Sequence, residues 1–327
     1  MIKLKHVTVG ILLFLSCKNK DADTIVMDNI VEDVINNVAI DTSFSTRLQL
    51  NPPDASVYIY RSKNETSYDL KFDDREVKSS NASDVQYRYA VHKDSAGKFI
   101  MDILFDSIKV LSQKDNVKSE ADAANAMLSV NPLERMLGML KDQGIQVKLS
   151  ASGVVESISG YEELGQRFLS KFAEDDTYGK TVAKEQWDKI IANGLVKGHL
   201  NQLFKAFPDA PIYQGFSWKL KERVEGELPL EMETTLKIKS VDPNGQIIIV
   251  SNADLKSAED VIVEMPGQKG VTAKLSGYRK GILHVNAKTG MVERSEYISD
   301  MNGTILVLGN FVPIKIKNKV KLEGREK

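Results

Sequence analysis

The chain has 327 residues, with 44 basic and 45 acidic side chains and a net formal charge of −1. That balance supplies no field to recruit nucleic acid or an anionic membrane surface, so neither is expected as a partner on electrostatic grounds. A single cysteine excludes an internal disulfide, and stability has to come from burial, about 75% of the unfolded surface for a chain this long.

Residues 1–16 combine Lys3 and Lys5, an apolar run from Val7 to Leu15 and a small Ser16, the three-part pattern of a signal peptide. The run is too short to span a bilayer, which takes about 20 apolar residues. Phe14-Leu15-Ser16-Cys17 resembles the lipobox of bacterial lipoproteins, in which cleavage precedes a cysteine carrying diacylglycerol. The resemblance implies that Cys17 is lipidated and tethers the protein to a membrane. Two acyl chains at about 0.8 kcal/mol per buried CH₂ hold such a protein effectively permanently. Lys18 replaces the aspartate of inner-membrane retention, so the resemblance points to the outer membrane, with the periplasmic face favoured over the cell surface. The other reading of Cys17 is a free thiol behind an ordinary secretory signal.

In the lipidated N-terminal segment, residues 17–40, the positions Met27, Ile30, Val31, Val34, Ile35 and Val38 recur at helical spacing. They predict a short amphipathic helix docked on the protein body, with a tether as the alternative. A first β-rich lobe is expected over 41–160, with strands at 57–60, 68–72, 85–91 and 99–111. Its helical insertion opens with Ser119 as cap and Asp122 in the first turn, then restarts at Asn131-Pro132. Leu133, Met136, Leu137 and Leu140 share one face until Gly144. Connecting helices are expected over 161–211. Val196, Leu200, Leu203, Phe204 and Phe207 share a face there, Asn193-Gly194 is read as a break, and Pro208 marks the end. A second β-rich lobe is expected over 212–327.

Three short matches recur in the same order and suggest that the lobes are related. Phe44-Ser45-Thr46-Arg47-Leu48 matches Phe216-Ser217-Trp218-Lys219-Leu220. Asp94 to Gly97 matches Asp242 to Gly245, and Ser152-Gly153-Val154-Val155-Glu156 matches Thr289-Gly290-Met291-Val292-Glu293. Asp94 to Gly97 and Asp242 to Gly245 carry Asp and Gly where hairpins need them. Tight turns between successive strands favour antiparallel meanders over parallel pairing. The expected fold is therefore α+β: two related lobes of antiparallel meander sheet, helices packed on them, and a helical segment between.

The junction Phe207-Pro208-Asp209-Ala210-Pro211-Ile212-Tyr213-Gln214-Gly215-Phe216-Ser217-Trp218 resembles the F-P-x-x-P…G-x-x-W junction of a group of bacterial envelope lipoproteins defined only as a domain of unknown function. Gly153 to Gly160 is similar to that group's G-x-V-x-x-x-x-G element, and the likeness spans about Phe44 to Lys321. Phe216 stands where the group carries an acid. A more remote fold-level likeness is to periplasmic lipoprotein carriers, which implies a curved antiparallel sheet wrapping helices around an apolar cleft.

No reaction is written in the chain. There is no G-x-S-x-G elbow and no H-E-x-x-H spacing, and His92, His199 and His284 are far apart and read as surface or strand histidines. The protein is expected to be no enzyme, with no cofactor and no metal. Met101, Met127, Met136, Met139 and Trp218 are the candidate ligand-binding residues, since flexible thioethers suit an adaptable apolar cleft, while core filling is the competing reading. The expected function is non-enzymatic binding of a hydrophobic or peptide ligand between sheet and helix. The alternative is a structural or assembly factor that presents its sheet edges and Tyr58, Tyr60, Tyr87, Tyr89 and Trp218 to an envelope protein partner.

Overall fold

The structure, a computed structural model, describes residues 22–72, 75–94, 97–115, 117–129, 131–141, 143–171, 177–224, 229–242, 245–258, 262–265, 268–307 and 310–327. The leader and Cys17 lie outside the described residues. Helix α1 (Ala22–Asn37) and strand β1 (Asp41–Thr46) lead into long strands β2 (Val57–Phe72), β3 (Arg75–Lys93) and β4 (Phe99–Lys114). Short β5 (Val117–Asp122), helix α2 (Pro132–Leu140), β6 (Gly144–Leu149) and β7 (Val155–Ser159) follow. Helix α3 (Tyr161–Leu169) precedes a long helix made of α4 (Thr177–Gln186), a π-helical stretch (Trp187–Gly198) and α5 (His199–Leu203). The chain then forms β8 (Ile212–Gln214), β9 (Ser217–Val224), β10 (Leu230–Val241), β11 (Gln246–Ser257), β12 (Ile262–Met265), β13 (Gln268–Asn286), β14 (Val292–Val307) and β15 (Asn310–Glu326).

The expectation of an α+β protein with two lobes is corrected: the chain is mostly β. Thirteen strands join one antiparallel sheet in the order β7-β6-β4-β3-β2-β15-β14-β13-β11-β10-β9, with β5 added on β4 and β12 on β13, and β1 pairs separately with β8. The C-terminal strand fuses the halves. β15 bonds to β14 along one edge and to β2 along the other, from Ile314 opposite Leu70 to Glu326 opposite Tyr58. A boundary between lobes would have to cut through that doubly bonded strand.

The hairpin matches occupy equivalent turns all the same. Gly97 donates its N–H to the Asp94 carbonyl at 2.9 Å between β3 and β4, and Gly245 to that of Asp242 at 3.0 Å between β10 and β11. Gly153 and Gly290, both at positive φ, turn β6 into β7 and β13 into β14. The Phe44 and Phe216 segments are not equivalent, because the first forms the small ladder with β8 and the second enters edge strand β9. Segment 50–51 ties the two later turns together, Leu50 N–H to Ala151 at 2.8 Å and Asn51 N–H to Thr289 at 2.7 Å.

A bulge in β4 keeps its apolar face turned one way. Phe99, Met101, Ile103 and Phe105 are buried at odd positions and Ile108 and Val110 at even ones, with the register shift falling at Gln86 and Tyr87 of β3. An extra residue inverts the alternation beyond it. Asn131 caps α2 by accepting from Leu133 N–H at 2.9 Å, with Pro132 behind it, as expected. Ser119 is no helix cap; it lies in β5, and Asp122 caps the short turn that follows. At Asn193-Gly194 the helix continues through wider π-helical turns.

Candidate ligand-binding site

One face of the sheet and the helices share a single core. Tyr60, Tyr87, Tyr89, Met101, Phe105 and Leu283 from strands pack with Met136, Leu137, Trp187, Ile191, Leu195 and Leu200 from helices. Residues from β2 through β15 pack with the same helices, so the sheet curls around them and the helices fill the hollow of its inner face. α3 seats tightly in the layer: a methyl group on Gly165 would stand 2.7 Å from Trp187 Nε1, and the Phe168 and Trp187 rings stack at 5.9 Å. The opposite face carries α1, whose Met27, Val31 and Val34 pack on Val250 and Ile298, as the docked-helix expectation had it.

The methionines separate. Met101 and Met136 are fully buried in the shared core and Met139 packs against its edge, which makes them filling between sheet and helix. Met127 stands apart, 99% exposed beside Leu128 at 96%. Trp218 is half-buried on β9 and donates its indole N–H to the Ala206 carbonyl at 3.1 Å, holding the chain that leaves α5. Tyr58, Tyr60, Tyr87 and Tyr89 are buried on the inner face and cannot be presented to a partner, which corrects that expectation.

Sequence reasoning missed the polar groups sealed inside. His199 is not a surface residue: it is 3% exposed, its ring stacked on Tyr87 at a centroid distance of 3.7 Å and an angle of 6°. Burial lowers its pKa to about 3, so it is neutral. Neither ring nitrogen has a hydrogen-bond partner, and the Tyr89 hydroxyl and Gln202 Oε1 also lack one. Tyr87 does better, donating to the Leu195 carbonyl at 3.1 Å. The packing among Tyr87, Phe105, Ile145, Leu195, His199 and Leu200 leaves no room for a water molecule. An open depression of about 300 Å³ lies elsewhere on β2 to β5, lined by Lys63, Glu65, Asp84, Lys109 and Glu120 together with Ala82, Val110 and Leu111.

A polar belt crosses the hollow along a single rung of the ladder. Thr234, Ala253, Arg279, Ser299, Asn318, Thr66, Asn81 and Ser112 stand directly opposite one another on successive strands from β10 to β4. On one side lies the helix-filled core. On the other, Leu70, Met232, Leu255, Leu275, Met301 and Ile314 form a second apolar cluster. Asn318 donates to Asn64 at 2.6 Å and to Thr66 at 2.8 Å, whereas both amide atoms of fully buried Asn81 are unpartnered. At the β9 end, buried Lys205 pairs with the partly exposed carboxylate of Glu222 at 2.9 Å. Burial holds the Lys205 pKa below its usual range, Glu222 opposes that, and Arg279 adds to it.

Among the described residues no cluster of His, Cys, Asp or Glu could hold a metal ion, and no helix is long and apolar enough to cross a membrane. A family model described as "Family of unknown function (DUF6263)" matches residues 96–292, more than half of the chain. The chain belongs to the DUF6263 family. The matched stretch takes in β4 to β13 with α2 to α5, and leaves out α1, β2, β3 and β15. No curated protein matches the chain. Among solved structures, one described as "Lipid-protein interactions in lipovitellin" is similar with a TM-score of 0.50 at 11% identity over 84% of this chain. The chain spans a quarter of that protein's length, 25%. The likeness is one of fold. Pseudomonas aeruginosa OccK11 (OpdR), at 8% identity over 87% of this chain and 100% of its own, has a TM-score of only 0.18. Pseudomonas aeruginosa OpdQ, at 6% identity over 83% and 98%, has 0.19, and neither carries an argument about the DUF6263 fold.

Proposed function

We propose that the chain is a non-enzymatic binding protein that takes a hydrophobic ligand between the sheet and the helices α3 to α5. The observation that carries this is the seam itself. Tyr89, His199 and Gln202 bury polar atoms without partners where helix meets sheet. Each such group costs about 1–3 kcal/mol relative to its solvated state. Native structures rarely keep such groups without a reason. A seam that carries several is weak for its apolar area, and water or a ligand's polar group reaching it when it opens would satisfy what the closed state leaves unpaired.

On this reading the helix fills the hollow when no ligand is present. The π-helical stretch Trp187–Gly198 lies on the moving side, and wide turns of this kind recur at functional sites. The fold likeness to a lipovitellin structure concerned with lipid–protein interactions supports the choice of ligand class. The proposal places the protein at the outer membrane on the lipid carried by Cys17, with the hollow facing the periplasm. Mass spectrometry of organic extracts from purified protein carrying Cys17→Ser tests the binding reading. Co-purified acyl lipid near one per chain, with a shift of Trp187 fluorescence on adding it back, is expected. A protein free of lipid that also takes up no added fatty acyl probe would overturn it.

A further inference from the structure

Among the described residues the charges at the β9–β13 end of the belt do not balance. Lys205 and Arg279 both stand there, and one described carboxylate, Glu222, answers them. Glu222 is committed: it accepts from Lys205 at 2.9 and 3.2 Å and from the Thr234 hydroxyl at 3.4 Å. Among the described residues Arg279 has no carboxylate partner, and its guanidinium lies over the Tyr297 ring, 4.1 Å from the centroid. Tyr297 itself is 2% exposed, and its hydroxyl is buried with no partner. A half-buried cation and a sealed hydroxyl donor thus stand on neighbouring inner-face rows, Arg279 opposite Ser299 and Tyr297 two residues before it.

We infer that Arg279, with Tyr297 and Lys205 beside it, forms the seat for the anionic head group of an amphiphile whose hydrocarbon lies in the apolar hollow. This rests on the binding reading above and names the chemical class of its ligand. A guanidinium presents paired N–H donors that match carboxylate and phosphate oxygens, and a cation already stacked on an aromatic ring is held in place for them. Two cations against one carboxylate leave one positive charge, which a single anionic head group neutralises. A neutral lipid would leave that charge buried beneath it without compensation, and such burial is strongly unfavourable. The belt also divides the hollow into two apolar clusters, so a head group at Arg279 has hydrocarbon-lined surface on both sides of its rung.

The test titrates full-length protein in detergent-free buffer, carrying Cys17→Ser, with dodecanoate, dodecyl phosphate, dodecanol and inorganic phosphate. The acid and the phosphate ester should bind at least tenfold more tightly than the alcohol. Arg279→Gln should remove that preference, weakening the acid and the phosphate ester and tightening the alcohol, and Arg279→Lys should keep part of it. Equal binding of alcohol and acids by the unaltered hollow overturns the head-group assignment and leaves the apolar-ligand reading standing. Failure of all three chains to bind overturns both. Inorganic phosphate binding as tightly as dodecyl phosphate assigns a free-anion site and overturns the amphiphile. Should Arg279→Gln not fold, the ratio of acid to alcohol in the protein retaining Arg279 decides the matter alone.

Discussion

Tyr297 lies flat across Gly281, its direct cross-strand partner, and the ring occupies the space a side chain would need. A Cβ built on Gly281 would stand 2.5 Å from Tyr297 Cε1 and 2.9 Å from Ser251 Oγ. The same device recurs between Gly324 and Tyr60 on β15 and β2. Bulky rings on a tightly curled inner face need an empty neighbour, and glycine supplies it.

Gly281→Ala should therefore destabilise. In the interior of an open strand the change would gain roughly 0.5–1 kcal/mol by removing backbone freedom from the unfolded chain. Here it overpacks a buried ring, and a loss of about 1–3 kcal/mol is expected. Urea unfolding measures the midpoint, and the double variant Gly281→Ala, Tyr297→Leu should recover much of the loss. A midpoint equal to or above that of the parent for Gly281→Ala alone would show that the ring is free to move aside.

His199 gives the fold an acid-sensitive term with a definite sign. Its folded pKa, about 3, lies below the roughly 6.5 of an exposed histidine, because burial disfavours the charged ring. Below pH 6.5 the unfolded chain takes up a proton that the folded one refuses, so stability falls as pH falls, by up to about 1.4 kcal/mol per unit. Between pH 6.5 and 4.5 that amounts to about 2–3 kcal/mol. His199→Phe keeps the stack on Tyr87, removes the titration and should flatten this limb. His284, half-buried with its pKa also lowered by burial and by Arg294, remains as background in both proteins. Parallel pH profiles for parent and variant would sink the assignment.

Much of this fold was legible in the sequence because its signals are local. Asp94 and Asp242 with their glycines mark hairpins, Asn131-Pro132 starts α2, and the spacing of Met27, Val31 and Val34 marks the docked face of α1. The joining of the halves was not legible. It depends on Ile314 finding Leu70 and Val320 finding Asn64, pairings across some 250 residues that no window reports. The polar belt was hidden for the same reason. Thr66, Asn81, Thr234 and Asn318 each read as an ordinary polar position in an alternating strand, and only register places them on one rung. His199 was misjudged because nothing around it in sequence marks which side of the long helix meets Tyr87.

Val31→Asp should release α1 from the outer face. Val31 is fully buried between Val250 and Ile298, and an unpaired carboxylate there costs more than the helix gains by docking. The remaining ties, Lys280 to Glu32 at 2.7 Å and Lys237 to the Ile35 carbonyl at 2.9 Å, hold the ends of the contact and do not fill its centre. Amide exchange over residues 29–37 should rise to that of an unprotected peptide while β13 and β14 stay protected. Retained protection in α1 would show that its polar ties suffice.

Asn81 tests whether the belt exists for folding or for something else. Its side chain is fully buried on β3 between Thr66 and Ser112, and neither amide atom has a partner. Replacing such a residue by an apolar one of similar volume removes a desolvation cost of about 1–3 kcal/mol without opening a cavity. Asn81→Leu should therefore raise the urea midpoint. A fully buried amide without a partner is exceptional in a native structure, and on the binding reading proposed above its polarity serves an occupant of the hollow. The same variant should then bind dodecanoate less tightly than the parent does. A lower midpoint would mean that the amide is satisfied within the folded chain, by ordered water for instance, and the belt would belong to the architecture alone.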